Sequence, residues 1–291
     1  MIKIFNISIY PSNRPNKFFK KFPFKFYKRY VFFNNYLFKL LSFSKEYFYG
    51  NKNDNLISDG CIEVKPLKSN TCNSLIRYID QILSRKKVKK FKLSKGVFRE
   101  SITFSLDDNY LKKYLSFNEY SELKNTFYEI KNTIESLGPF SIKPSFIAQK
   151  LSSFDLDSGD TNTIMHIDRY VPAVKAFIFL TDTFKNGSSY EFIPYTHLIN
   201  EKYIKKVLET SKLHFDAIKT INPFSPQISK LKAKKYGFQG QAIISATNGL
   251  HRREPFIDKG QFRYTLRFVL YESISLRKVI KGNLKKFIKR L

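Results

Sequence analysis

The 291-residue chain has no tryptophan, only two cysteines and two methionines, and just four histidines. Cys61 and Cys72 cannot staple a fold of this length, so a disulfide scaffold is excluded, and a reducing interior with ordinary buried thiols is expected. No uninterrupted apolar run approaches the length of a bilayer span. Met1 to Tyr10 has neither a long apolar stretch nor a small-residue cleavage site, so no signal peptide is expected, and the chain reads as cytoplasmic. Acidic residues are scarce as well, 24 against 52 Lys+Arg, for a formal charge of +28.

What is present excludes other classes. A hydrophobic share of 42% is too high for a disordered chain, and there is neither a collagen nor a heptad repeat. Phe 30 and Tyr 18 supply the aromatic content. Lys, Asn, Ile, Phe and Tyr share AT-rich codons, and compositional drift is a sufficient source for much of the charge.

The distribution of the charge is more telling than its sum. Residues 1–50 hold ten Lys/Arg and one acid, interleaved with 17 aromatics, as in Phe18-Phe19-Lys20-Lys21-Phe22-Pro23-Phe24. The tail after Glu272 holds seven Lys/Arg and no acid. Domain limits are expected at 1–50 for a basic, aromatic extension, 51–275 for the main domain with an insertion at about 197–236, and 276–291 for a basic tail. A helix over Tyr30 to Phe48 would carry an apolar face opposite Lys39 and Lys45; it either packs on the domain or lies peripherally on an anionic membrane surface.

Helices are expected from Thr71 to Ser84, with Leu75, Ile79 and Ile82 in a stripe, and from Phe117 to Leu137. A short strand is expected at Gly60 to Val64. After Pro144 the pattern turns to short β-rich runs: Phe146–Leu151, Thr163–Asp168, Val174–Thr181, Tyr190–Ile193, Ala242–Ala246 and Phe262–Tyr271. Helices followed by many short strands indicate an α+β protein built on a β-sandwich or small barrel.

The chemistry-bearing residues concentrate in that half. His166 and Asp168 stand two apart in a strand-like run, so their side chains share a face about 7 Å apart at the backbone, within reach of one metal ion. A third ligand from another strand would complete a facial triad with open positions. Arg263 stands twelve residues beyond His251. A buried Arg is costly without an anion, and its fork suits the distal carboxylate of a small dicarboxylic acid, with Thr265 on the same strand face.

In this order, His166-x-Asp168, the stretch from Asn186-Gly187 through Phe192-Ile193-Pro194 to His197, the Gly-led approach to His251, and Arg263 resemble the phytanoyl-CoA dioxygenase branch of the Fe(II)/2-oxoglutarate-dependent oxygenases. The resemblance runs over roughly 58–272. It implies a double-stranded β-helix (jelly roll) flanked by helices, with His166, Asp168 and His251 on Fe(II). It also implies Arg263 on the C5 carboxylate of 2-oxoglutarate, assisted by Thr265, with Gln149 a further contact. Hydroxylation by O2, with release of succinate and CO2, is the implied reaction. Related halogenases have a small residue where Asp168 stands. Where the family commonly has Pro-Gly-Ser-His, this chain has Pro194-Tyr195-Thr196-His197, so Tyr195 must take a backbone conformation that glycine adopts more freely.

Arg169, Tyr170 and Arg252 are candidates to line a substrate pocket, for a small or lipid/carrier-linked molecule. His197 and His214 read as structural. Two other classes compete: an inactive jelly roll serving as a binding or scaffold protein, and a nucleic-acid-binding protein suggested by charge and aromatics.

Overall fold

The computed structural model describes residues 59–85, 88, 90–94, 96–136, 141–155, 161–166, 168, 174–185, 187–197 and 232–271. The basic extension, the basic tail, Arg169, Tyr170, His214 and most of the expected insertion lie outside the described residues.

The two long helices form where the apolar spacing puts them. Helix α1, Ser69–Arg85, buries Leu75, Ile79 and Ile82 in one stripe. After the short α2, Leu111–Tyr114, helix α3 runs Phe117–Ser136 and buries Leu123, Phe127, Ile130 and Ile134. Its start is a capping box: the Ser116 N–H donates to Glu119 Oε2 at 2.8 Å, and the Glu119 N–H returns a bond to Ser116 Oγ at 3.3 Å. Glu122 of α3 accepts the Lys68 N–H at 2.9 Å and the Thr71 hydroxyl, which ties the two helix starts together.

Ten strands follow the chain as β1 (Cys61–Val64), β2 (Phe91–Lys92), β3 (Val97–Ser105), β4 (Ser141–Ser153), β5 (Val174–Phe179), β6 (Tyr190–Phe192), β7 (Lys234–Tyr236), β8 (Ala242–Ala246), β9 (His251–Arg253) and β10 (Phe262–Tyr271). They form an antiparallel seven-stranded sheet in the order β1-β8-β5-β10-β4-β3-β2 and a three-stranded sheet in the order β7-β6-β9. From β4 onward the chain passes back and forth between the two: β4, β5, β8 and β10 lie in the large sheet, and His166, β6, β7 and β9 in the small one. This alternation is consistent with the expected jelly roll.

The large sheet is a partition. On one side, Phe146, Ala148, Ile178, Ile244, Leu266 and Phe268 pack with Tyr78, Leu75 and Phe127 of the helices in a single apolar cluster. Phe127 and Phe268 stack at 5.8 Å, and Phe146 meets Phe268 edge-on at 5.1 Å. On the other side, Phe179, Phe177 and Ile243 meet Tyr190 and Phe192 of the small sheet.

Three elements differ from expectation. Strand β3 pairs with β4 over nine positions, yet its outer and inner faces mix Arg99, Glu100, Ser101 and Thr103 with apolar residues, which hides the period-two signal. The run Thr163–Asp168 is not a regular strand. Thr161–Thr163 is a 3-10 turn and His166 makes a single bridge to His251, because its partner β9 is only three residues long. Finally, the end of the expected insertion, Lys234–Tyr236, is β7, a strand of the small sheet.

Candidate metal centre

His166 and His251 face each other across a closed pair of backbone bonds, each N–H donating to the other's carbonyl at 2.9 Å. Asp168 is tied one step further along, its N–H donating to Thr247 O at 2.8 Å. The side chains of His166, Asp168 and His251 thus converge, with one candidate ligand atom from each lying within 4.8 Å of the others. The rings of the two histidines are 4.5 Å apart between centroids.

The tautomers follow from the neighbours. His166 Nδ1 lies 2.7 Å from Ile164 O, and His251 Nδ1 lies 2.9 Å from Gly249 O. A carbonyl only accepts, so both Nδ1 atoms carry a proton and both rings present Nε2 to the site as the candidate ligand atom. Burial lowers the His166 pKa to about 4, and the neighbouring His251 adds to the shift, so the ring is neutral near pH 7. Burial disfavours ionisation of Asp168, but Lys175 and His251 outweigh it and hold the carboxyl well below its ordinary value. Lys175 Nζ lies 2.6 Å from Asp168 Oδ2, and His251 Nε2 lies 3.5 Å from the same oxygen.

The residues around the triad hold it in place. Gly249 runs under Phe192, where an added Cβ would come within 2.5 Å of the ring, so only glycine lets its carbonyl reach the His251 ring. Thr196 Oγ1 accepts the Leu250 N–H at 2.8 Å and donates to Ile193 O at 2.6 Å, stitching the Pro194–His197 turn to the residue before His251. Tyr195 has φ 65, the left-handed conformation foreseen at that position. Asn248 Nδ2 donates to His197 O at 2.6 Å, and the buried His197 packs against Phe192 outside the triad.

Arg263, Thr265 and Arg267 share the face of β10 turned away from the helices. Arg263 is 7% exposed, its guanidinium lies 5.4 Å from the Phe179 ring, and its Nη1 donates to Ser188 O at 2.7 Å. Its Nε is buried without a hydrogen-bond partner among the described residues, as is the hydroxyl of Ser188. Burial, then the nearby Arg253, lowers the Arg263 pKa. A buried cation with an unmet donor and a spare hydroxyl beside it form a cradle for an oxyanion. Thr265 is buried one row along, level with Gln149 of β4.

Arg252 sits elsewhere. It pairs with Glu191 on β6, and its side chain ion-pairs with the Glu191 carboxylate, on the face of β9 opposite His251. Two residues that sequence reasoning left unassigned belong to the site: Lys175, and Tyr190, whose ring lies 5.5 Å from that of His251 while its hydroxyl contacts Ser245 Oγ at 2.7 Å. Their inward positions on β5 and β6 were the available signal. Cys61 and Cys72 are free and buried, and burial raises the Cys61 thiol to about 12.

No protein-family model matches the chain, and no curated protein matches it. Among solved structures it is similar to AviO1 from Streptomyces viridochromogenes Tue57, at 13% identity and TM-score 0.46, covering 76% of this chain and 93% of that one. It is also similar to the non-haem α-ketoglutarate-dependent epimerase SnoN of nogalamycin biosynthesis, at 13% identity and TM-score 0.43, covering 73% and 78%. A third is an oxidoreductase of the 2OG-Fe(II) oxygenase family from Burkholderia pseudomallei, at 10% identity and TM-score 0.37, covering 74% and 87%.

Proposed function

We propose that the chain is an Fe(II)- and 2-oxoglutarate-dependent oxygenase of the phytanoyl-CoA dioxygenase type, on a double-stranded β-helix, that hydroxylates a small or lipid/carrier-linked substrate. One observation carries the reading. Two histidines and a carboxylate converge on one point, on the same inner face as a buried guanidinium whose Nε has no hydrogen-bond partner among the described residues. Two nitrogens and one carboxylate form the donor set that suits non-haem Fe(II) and leaves positions open.

His166, Asp168 and His251 would hold the ion, and their second-sphere carbonyls, Ile164 O and Gly249 O, fix the ring orientations. Arg263 would bind the distal carboxylate of 2-oxoglutarate, with the hydroxyls of Ser188 and Thr265 beside it. Bound Fe(II) supplies the redox chemistry that couples decarboxylation of the cosubstrate to substrate oxidation by O2. The wall behind Arg263, made by Val97, Leu151 and Phe256, excludes water from that end. The presence of Asp168 favours hydroxylation. The charge of residues 1–50 and 276–291 supports a further part of the proposal, peripheral contact with an anionic surface.

The test is anaerobic. With Fe(II) and 2-oxoglutarate, wild type should develop the metal-to-ligand absorption band, and on admission of air it should form succinate. Absence of both in wild type, or persistence of both in His166→Ala, ends the reading.

A further inference from the structure

We propose that Lys175 is a resident counter-ion of the metal centre: its ammonium holds the Asp168 carboxylate until a divalent cation takes the same oxygen, so that metal loading is the exchange of one cation for another. This rests on the reading of His166, Asp168 and His251 as metal ligands, and on where the fold puts Lys175.

The strand turns Lys175 inward. On β5, Val174, Ala176 and Ile178 are buried in the cluster with the helices, whereas Phe177 packs with the small sheet. By alternation Lys175 shares the face of Phe177, so a lysine stands toward the space between the two sheets. Its cross-strand neighbour is Ser245 of β8, whose hydroxyl is already engaged by the Tyr190 hydroxyl and the Cys61 thiol. Among the described residues the ion-pair partner of Lys175 is Asp168, with Nζ 2.6 Å from Oδ2.

The contact falls on the oxygen that bears on coordination. Oδ2 is also 3.5 Å from His251 Nε2, which makes it the carboxylate atom turned toward another candidate ligand. The ammonium does not align a hydrogen bond on this buried oxygen, so the pair is held by charge. A divalent ion binds a carboxylate oxygen at about 2.1 Å, and an ion on Oδ2 would therefore stand within about 5 Å of the ammonium, where a dication and a monocation repel. The two cations are alternatives.

Asp168 needs one of them. Its backbone is fixed by the bond to Thr247 O, and a carboxylate held in so enclosed a place is costly without a positive partner. Lys175 is free to yield, since its side chain is 30% exposed against 18% for Asp168, and a long flexible stem can carry the ammonium outward. Linkage then sets two effects of equal size: the ammonium stabilises the protein without metal, and it weakens metal binding by the same factor.

The test uses the full chain and Mn(II) alone, titrated by electron paramagnetic resonance at fixed pH and ionic strength. Lys175→Met keeps the length of the stem and removes the charge. It should bind Mn(II) tighter than wild type by roughly tenfold or more. Its thermal midpoint without metal should fall, while its midpoint at saturating Mn(II) matches that of wild type, so the metal-induced rise grows. Lys175→Arg retains a cation there and should stay within about threefold of wild-type affinity. Lys234→Met removes a lysine paired with Asp59 and controls for the overall charge of +28; it should alter Mn(II) affinity by less than about twofold. Equal or weaker Mn(II) binding by Lys175→Met, or equal tightening by Lys234→Met, overturns the proposal and leaves the metal centre standing. Absence of Mn(II) binding from wild type and every variant overturns both. The oxygenase reading is decided separately, because the titration contains no 2-oxoglutarate.

Discussion

Strand β10 carries Tyr264, Leu266 and Phe268 on one face and Arg263, Thr265 and Arg267 on the other. The first set joins an apolar cluster with the helices, and even its one polar tip is satisfied, the Tyr264 hydroxyl donating to Asp80 Oδ1 at 2.8 Å. In the second set Arg263 and Thr265 are buried as well, but the Nε of Arg263 has no hydrogen-bond partner among the described residues. One face is complete as it stands and holds the fold together. Buried polar groups are normally satisfied, so the unmet Arg263 Nε marks its face of β10 as the candidate site.

Substitutions on the two faces should therefore fail in different ways. The largest effect is expected from His251→Ala on the site face: loss of measurable Mn(II) binding by electron paramagnetic resonance, with a thermal midpoint close to that of the metal-free wild type. On the helix face, Phe268→Ala should lower stability by about 3–5 kcal/mol in urea melts through the cavity it leaves. The protein that remains folded should still bind Mn(II), and loss of both together would erase the distinction.

The site face should also make the metal-free protein acid-sensitive. The folded pKa of His166, about 4, lies below its ordinary 6.5, so protonation favours the unfolded chain. Stability is then full above about pH 6.5 and falls as pH drops toward 4, by roughly 2–3 kcal/mol. A His166→Gln variant should show a flatter profile across that window, and an unchanged slope would refute the assignment. Arg263→Gln should weaken 2-oxoglutarate binding by roughly a hundredfold, the scale of a lost charge-assisted pair, without changing Mn(II) affinity. The smallest effect is expected at Tyr195, whose left-handed backbone costs about 1 kcal/mol; Tyr195→Gly should leave stability equal or raise it by up to that amount.

Much of the site was legible because it depends on short-range order. Arg263 and Thr265 are two residues apart on β10, and that spacing translates directly into a shared face; His166 and Asp168 are also two apart and converge although their run is not a regular strand. The left-handed turn at Tyr195 could be read from where glycine commonly stands. For Lys175 the alternation of β5 gives the face but not the partner, since nothing in the strand says that a carboxylate stands opposite it. Strand β3 was missed because Arg99, Ser101 and Thr103 alternate with Glu100 as well as with apolar residues, so it lacks the alternation that marks a strand packed on a core. The assignment of Arg252 to a pocket followed from adjacency to His251, but neighbours along a strand point to opposite faces.

The sequence by itself determined the two helices, most of the strands and the candidate residues, because propensity, periodicity and two-residue spacing are local properties. Tertiary structure decided which carbonyls fix the histidine tautomers, which cation meets Asp168, and which polar groups are buried without partners. Those are matters of register between segments far apart in the chain, such as His166 against His251, and only the packed sheets bring them within hydrogen-bonding distance.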